Sequence, residues 1–236
     1  MSPESLRERL IFALDVPSLV EARGLVERLG DAVDFYKVGL ELFTAGDAVG
    51  FVRHLKHAGK RVFVDLKLFD VPATVARAVA RLAALKVDFI TVHGNQAMMQ
   101  AAAEAKSSSR VLAVTALTSL DAGDLADLGF QCDITRLVVS RAERAMEAGL
   151  DGVVASGREA ACLRQAVGPR LLIVTPGIRP VLNRCEDDQK RIMSPAEAMS
   201  AGADYLVVGR PIRDAPDPQR AVETILSAMS AGVEGL

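Results

Sequence analysis

The sequence predicts a closed (β/α)8 barrel. Three observations point there. Eight short runs of β-branched or aliphatic residues recur along the chain, stretches of helical character separate most of them, and no shift in composition divides the 236 residues. Strand and helix alternating eight times is the pattern of a parallel sheet wound into a barrel, and the length is ordinary for one such domain. A doubly wound open sheet is the alternative, but it more often carries a glycine-rich turn after its first strand. Here the first run leads into LDVPS, without GxGxxG. The expectation is one α/β barrel domain over residues 1–236.

The strands are expected at 10–14 (LIFAL), 34–38 (DFYKV), 61–66 (RVFVDL), 88–92 (DFITV), 110–116 (RVLAVTA), 151–155 (DGVVA), 170–174 (RLLIV) and 204–208 (DYLVV). Each has the length of a strand. Between them, 18–29 reads as a helix with Ser18 as N-cap after Pro17 and an exit at Gly30. Residues 72–85 start with Pro72 in a tolerated first-turn position. Helices follow at 95–105, 134–148, 158–167, 195–201 and 218–229. Several exits read AGLDGV, AGADYL or LKVDFI, helix ends turning into strands. The stretch 175–194 is long and polar for a βα connection, and long loops in compact domains are often functional.

Composition limits the function classes. Half of the residues are hydrophobic, 4% are aromatic and none is Trp. The apolar mass is aliphatic, as parallel strands buried on both faces require. The formal net charge of −2 suggests no polyanionic nucleic-acid partner, and no basic helix suggests a membrane surface. Cys132, Cys162 and Cys185 fit neither a CxxC pair nor a metal spacing, and read as reduced thiols. The amino-terminal stretch has no signal-peptide pattern, and the chain has no run of about 20 apolar residues, so a cytoplasmic location is expected.

Active sites of such barrels are built at the carboxyl ends of the strands. The polar residues expected there are Asp15, Lys37, Asp65 with Lys67, His93, Thr118 with Ser119, Ser156, then Pro176, Gly177 and Arg179, and finally Gly209 and Arg210. Asp65 and Lys67 are two apart on a strand, so they should share a face, while Val64, Leu66 and Leu68 take the other. Asp70 follows the expected strand end and should reach sideways. Charged groups inside a barrel mouth are costly to bury unless they compensate one another. The loops after strands seven and eight are the usual phosphate site of this fold. TPGIRP and VVGRPI stand there. Gly209 could aim its N–H at an anion, Arg210 could bind phosphate with two donors, and Arg179 and Gln189 could close over it. A lone His93 at a strand end could be structural or catalytic, His54 and His57 read as a solvated helix end, and Ser156 could line a ligand or cap a helix. No GxSxG, P-loop or HExxH pattern occurs.

Taken in order, LDVPS, YKVGLELF, DLKLFDVPATV, TVHG, LTS, VVASGREA, VTPGIRP and YLVVGRPI resemble the bacterial form of the orotidine 5′-phosphate decarboxylase family over nearly the whole chain. The resemblance implies decarboxylation of orotidine 5′-monophosphate to UMP and CO2, without metal or organic cofactor. It implies that Lys67 donates the proton, that Asp65 stands beside the departing carboxylate, and that Lys37 and Asp15 meet the ribose. Asp70 and Thr74 would act in the neighbouring site of a homodimer. Thr118 would meet the pyrimidine, with Ser119 as the neighbouring alternative. Pro176 would line the substrate site, and Arg179, Gln189, Gly209 and Arg210 would bind phosphate. Two positions depart from the pattern: Phe69 stands where many relatives have His, and His93 is followed by Gly-Asn-Gln.

The chemistry agrees with that assignment. Decarboxylation without an electron sink must stabilise a carbanion as it forms, and a lysine kept cationic by flanking carboxylates can do so and then deliver its proton. The nearest rival is a sugar-phosphate relative that retains DxKxxD but uses Mg²⁺ on an acidic ligand after the second strand. Lys37 occupies that place and would repel a cation. A barrel that merely binds a phosphorylated ligand would have no need of the Asp–Lys–Asp array.

Overall fold

The computed structural model describes residues 3–180 and 192–234. Eight parallel strands close into a barrel in sequence order: β1 (Leu10–Ala13), β2 (Phe35–Gly39), β3 (Arg61–Leu68), β4 (Phe89–Val92), β5 (Arg110–Val114), β6 (Gly152–Val154), β7 (Leu172–Thr175) and β8 (Tyr205–Val208). The helices are α1 (Pro3–Arg7), α2 (Leu19–Leu29), α3 (Leu40–Phe43), α4 (Ala48–His57), α5 (Pro72–Ala83), α6 (Gln96–Ala105), α7 (Ala122–Asp127), α8 (Ile134–Glu147), α9 (Gly157–Val167), α10 (Pro195–Ser200), α11 (Arg210–Arg213) and α12 (Pro218–Glu234). Every strand expected from the sequence is present, with ends displaced by a residue or two. The caps also match. Ser18 accepts from the Glu21 amide at the start of α2, and Gly30 leaves that helix at φ +50. The short helices α1, α3, α7 and α11 offer too few residues for a periodic signal.

Strand parity divides the apolar residues into two layers. Phe12, Tyr36, Val38, Val62, Val64, Ile90 and Val92 belong to the layer between sheet and helices, which is mainly aliphatic. Inside the barrel, Ile11, Ala13, Phe35, Phe63, Phe89, Leu112, Val174 and Val207 form a separate cluster. Four of the ten aromatic rings gather there, Phe35, Phe63 and Phe89 with Tyr205 packed against them. Phe89 meets Phe35 and Tyr205 edge-on at centroid distances of 5.0 Å each, and Phe63 at 5.8 Å. The guanidinium of Arg61 lies 4.1 Å from the Phe35 ring centroid, a cation–π contact that closes the lower end. Expecting aliphatic residues throughout misses this floor, because composition does not say where a few rings will collect.

A repeated device holds the lower rim. Asp88, Asp151 and Asp204 stand just before β4, β6 and β8. Each accepts from the amide of the preceding strand, Val62, Val111 and Ile173 respectively, at 2.8 Å. Each also pairs with a cation: Lys56 at 2.7 Å, Lys106 at 2.9 Å and Arg164 at 2.6 Å. These are the aspartates of the LKVDFI, AGLDGV and AGADYL exits. Their carboxylates lock strand register from below, leaving the upper rim for chemistry. Hydrogen bonds to charged groups contribute roughly 1.5–3 kcal/mol. Asp204→Ala is therefore expected to lower unfolding stability by about 2 kcal/mol in urea titration. An unchanged midpoint would show that the rim contacts carry no stability.

Candidate active site

Charged side chains take over from the aromatic floor at the upper ends of β1, β2 and β3. The register sets Lys37 beside Phe63 and Gly39 beside Asp65. The Lys37 ammonium lies 2.8 Å from Asp15 Oδ1 and 3.6 Å from Asp65 Oδ2. The Lys67 ammonium lies 3.0 Å from the same Asp65 Oδ2. Asp65 Oδ1 accepts from the Thr91 hydroxyl at 2.9 Å. One carboxylate thus joins two cations through one oxygen and β4 through the other. Two cations and two anions make the cluster neutral, the condition under which charges can be kept in a poorly solvated place.

The strand alternation expected for Asp65 and Lys67 is not what brings them together. Pairing of β3 with β4 is irregular between Val64 and Leu68. Lys67 sits at φ +50, a left-handed conformation uncommon for a residue with a side chain. Its amide donates to Thr91 Oγ1 at 2.9 Å. The bulged strand carries the lysine back over Asp65, so the pair converges although the backbone is not regular there. Gly39 makes room beside it. A Cβ at that position would stand 3.0 Å from the Lys37 ammonium and 3.2 Å from Asp15 Oδ1.

Electrostatics keep the cluster ionised. Burial pushes the Lys37 ammonium toward neutrality, but Asp65 and Asp15 outweigh it and raise its pKa above the ordinary 10.5. Burial pushes Asp65 up, but Lys37, Lys67 and the hydrogen bond from Thr91 outweigh it and hold it below the ordinary 3.8. The sign of the linkage follows. The Asp65 contribution to stability is present above the ordinary carboxylate value and is lost as pH falls through its depressed one. The Lys37 contribution is full below 10.5 and is lost as pH rises through its raised value. Neutral pH lies inside both limits.

A cavity of about 580 Å³ opens above these groups. Asp15, Lys37, Asp65 and Lys67 line one side, and Pro176, Gly177, Arg179, Gly209, Arg210 and Arg213 line another. Thr118 and Ser119 both reach it, Thr118 half-buried and Ser119 exposed. The ends of the long loop are tied together: Arg179 donates its amide to the Met193 carbonyl, and Met193 to that of Gly177. Arg213, passed over in the sequence, donates to the Asp15 carbonyl at 2.7 Å and grips Asp214 with Nε and Nη2. Arg213, Arg210 and Arg179 together hold the Asp214 carboxyl below its usual range, with Arg213 the largest influence. Arg213 is thus the guanidinium in direct contact with that carboxylate, while Arg210 and Arg179 act on it through their charge. Gln189 lies outside the described residues.

Asp70 and Thr74 do not line this cavity. Asp70 is exposed and accepts from the Val71 amide; Thr74 is half-buried and accepts from Arg77. His93 faces a second, mainly apolar cavity of about 810 Å³ that shares Lys67 with the first. Arg141 Nη1 lies 3.3 Å from His93 Nε2 and donates to the Thr115 carbonyl. Burial, Arg141 and Lys67 lower the His93 pKa, so its ring is neutral at neutral pH. Ser156 is the N-cap of α9, fully buried, and His54 and His57 are exposed on α4. Thr91 was hidden in the sequence, since a threonine in a β run reads as strand propensity.

Comparison with known proteins agrees with this architecture. Residues 8–225 match the model of the orotidine 5′-phosphate decarboxylase / HUMPS family. The chain is 59% identical over 234 residues to the orotidine 5′-phosphate decarboxylase of Methylococcus capsulatus, covering 98% of this chain and 97% of the relative. It is 53% identical over 227 residues to that of Rhodopseudomonas palustris, covering 95% of each. The crystal structure of orotidine 5′-phosphate decarboxylase from Lactobacillus acidophilus superposes with a TM-score of 0.83 at 34% identity, covering 94% of this chain and 99% of that one. With barrel, charged mouth and near full-length similarity in agreement, the chain belongs to the orotidine 5′-phosphate decarboxylase / HUMPS family.

Proposed function

We propose that this chain, acting as one catalytic domain, decarboxylates orotidine 5′-monophosphate to UMP and CO2, the last step in making pyrimidine nucleotides de novo. It uses neither metal nor organic cofactor, and it works in the cytoplasm as a homodimer with shared sites. The observation that carries this reading is the Asp65 carboxylate gripped by Lys37 and Lys67 at one side of a cavity whose other side holds Arg179 and Arg210. A nucleotide monophosphate has matching poles: a phosphate for the arginines and a carboxylated ring for the lysines.

The reaction breaks one carbon–carbon bond. The electron pair stays on the pyrimidine carbon as CO2 departs, and that carbon takes a proton from the Lys67 ammonium. Lys67 then regains a proton from water. An ammonium already fixed where negative charge develops stabilises the transition state without reorganisation. Asp65 holds that ammonium in place and stands near the departing carboxylate. Asp15 and Lys37 meet the ribose, and Thr118 meets the pyrimidine. Pro176 lines the site, while Arg179, Gln189, Gly209 and Arg210 bind phosphate. Phosphate binding far from the chemistry orders the site, so a nucleoside lacking it should lose turnover as well as affinity. Metal-dependent sugar-phosphate chemistry suits the site poorly, because the ammonium of Lys37 stands where a divalent cation would need a carboxylate.

The dimer accounts for Asp70 and Thr74. Phe69 and Val71, on either side of Asp70, are 67% and 61% exposed, and Leu128 is 59% exposed. Large apolar groups displayed together mark an interaction surface. The adjoining cavity, lined by Phe69, Leu128 and Phe130, includes Lys67. A second subunit seated on this face would bring its Asp70 and Thr74 toward that lysine. Among the described residues no helix is long and apolar enough to cross a membrane.

Lys67→Ala is expected to lower kcat by more than about 10³-fold while the chain stays folded and still binds UMP, measured by steady-state kinetics and calorimetry. Substantial turnover by that variant would remove Lys67 as the proton donor. Mixing Lys67→Ala with Asp70→Ala chains is expected to restore about a quarter of the parent activity, since half the dimers would then hold one intact site. No recovery despite demonstrated subunit exchange would contradict a shared site.

A further inference from the structure

Thr91 lies on β4 at the parity of Phe89, beneath the charge cluster, and is fully buried. Its hydroxyl donates to Asp65 Oδ1 at 2.9 Å and accepts from the Lys67 amide at 2.9 Å. A hydroxyl has one hydrogen and two lone pairs, so both bonds form at once. One oxygen atom therefore grips both members of the ion pair, the carboxylate by its side chain and the lysine by its backbone. Thr91 does not line the cavity where the substrate would sit.

We propose that Thr91 is a positioning residue for decarboxylation, acting through Asp65 and Lys67 without touching the substrate. The inference rests on the decarboxylase reading above. Two physical needs are met by the same group. First, a carboxylate can rotate. With Oδ1 tied to β4, Oδ2 is turned toward the two ammoniums, 3.0 Å from Lys67 and 3.6 Å from Lys37. Second, Lys67 sits at φ +50, inside the irregular stretch between Val64 and Leu68. A strained backbone conformation persists only where its surroundings hold it. The Thr91 hydroxyl supplies the acceptor that anchors the amide there. Thr91 as a mere β-branched filler of the strand is the competing explanation, and valine would serve that role as well as threonine.

Parent enzyme, Thr91→Val and Thr91→Ser should be compared on orotidine 5′-monophosphate across pH. Thr91→Val keeps the shape and removes the hydroxyl. Its kcat is expected to fall about ten- to hundredfold, with KM within about threefold of the parent. The acid limb of its kcat profile is expected to move to higher pH. Asp65 would still face Lys37 on β2 and Lys67 on β3, with Asp15 after β1 beyond Lys37, but it would have lost the donor from β4. Thr91→Ser keeps the hydroxyl and is expected to stay within about threefold of parent kcat. Parent-like kcat and acid limb in Thr91→Val would overturn the inference, as would a Thr91→Ser chain as slow as the valine variant. Should the valine chain not fold, Thr91→Cys, a weaker donor, is expected to lose about tenfold in kcat, and full activity there would equally overturn it. A parent enzyme inactive on this nucleotide would sink the decarboxylase reading and this inference with it; an active parent with an unaffected valine variant sinks the inference alone.

Discussion

The shared oxygen of Asp65 is the point on which the site depends. Two ammoniums reach that one atom, Lys67 at 3.0 Å and Lys37 at 3.6 Å, and neither could be kept so near the other without the carboxylate between them. Both cations in turn hold the Asp65 pKa below its ordinary value against the desolvation of the barrel mouth. Asp15 balances the second lysine. The cluster is therefore a mutual arrangement: each partner removed takes away part of what keeps the buried Lys37 and Asp65 ionised. Such an arrangement is expensive as a stabiliser of the fold, and its presence at the mouth of a cavity supports the proposal that it is chemical equipment.

The rest of the barrel keeps that equipment in place. Charges meet over Asp65 because β1 to β3 pair in register and the bulge in β3 turns Lys67 back over it. Below them the interlocked rings of Phe35, Phe63, Phe89 and Tyr205 fill the interior. Below those, aspartates before alternate strands fix the register. The cavity has a division of labour along its length. Lysines and carboxylates occupy the end beside β1 to β3, and arginines the end after β7 and β8, so the two ends offer a ligand different groups. Arg213 links the two ends, holding the Asp15 carbonyl with one nitrogen and Asp214 with two others.

Much of this was legible in the sequence, for physical reasons. Strands of a parallel barrel are buried on both faces and read as uninterrupted aliphatic runs, and helix starts such as Ser18 and Asn95 carry their capping oxygens openly. Lys37, Asp65 and Lys67 stood out because charges at the ends of apolar runs have no packing explanation. What escaped notice lacked such contrast. Thr91 is an ordinary strand residue until its hydroxyl is seen between two others. Arg213 and Asp214 carry no motif that sets them apart in the sequence. The positive φ of Lys67 and the irregular pairing of β3 leave no trace in DLKLF, since no glycine marks the bulge. The aromatic floor escaped because a low ring count says nothing of where the rings assemble.

On the proposed reading, fixed ammonium groups, with no metal among them, accomplish the loss of CO2. The most direct measurement is the absorbance decay of orotidine 5′-monophosphate with purified enzyme in excess chelator, with UMP identified as product. Full turnover that is indifferent to added Mg²⁺ is the predicted result. Absence of turnover, or turnover that appears only when a divalent cation is restored, would overturn that reading.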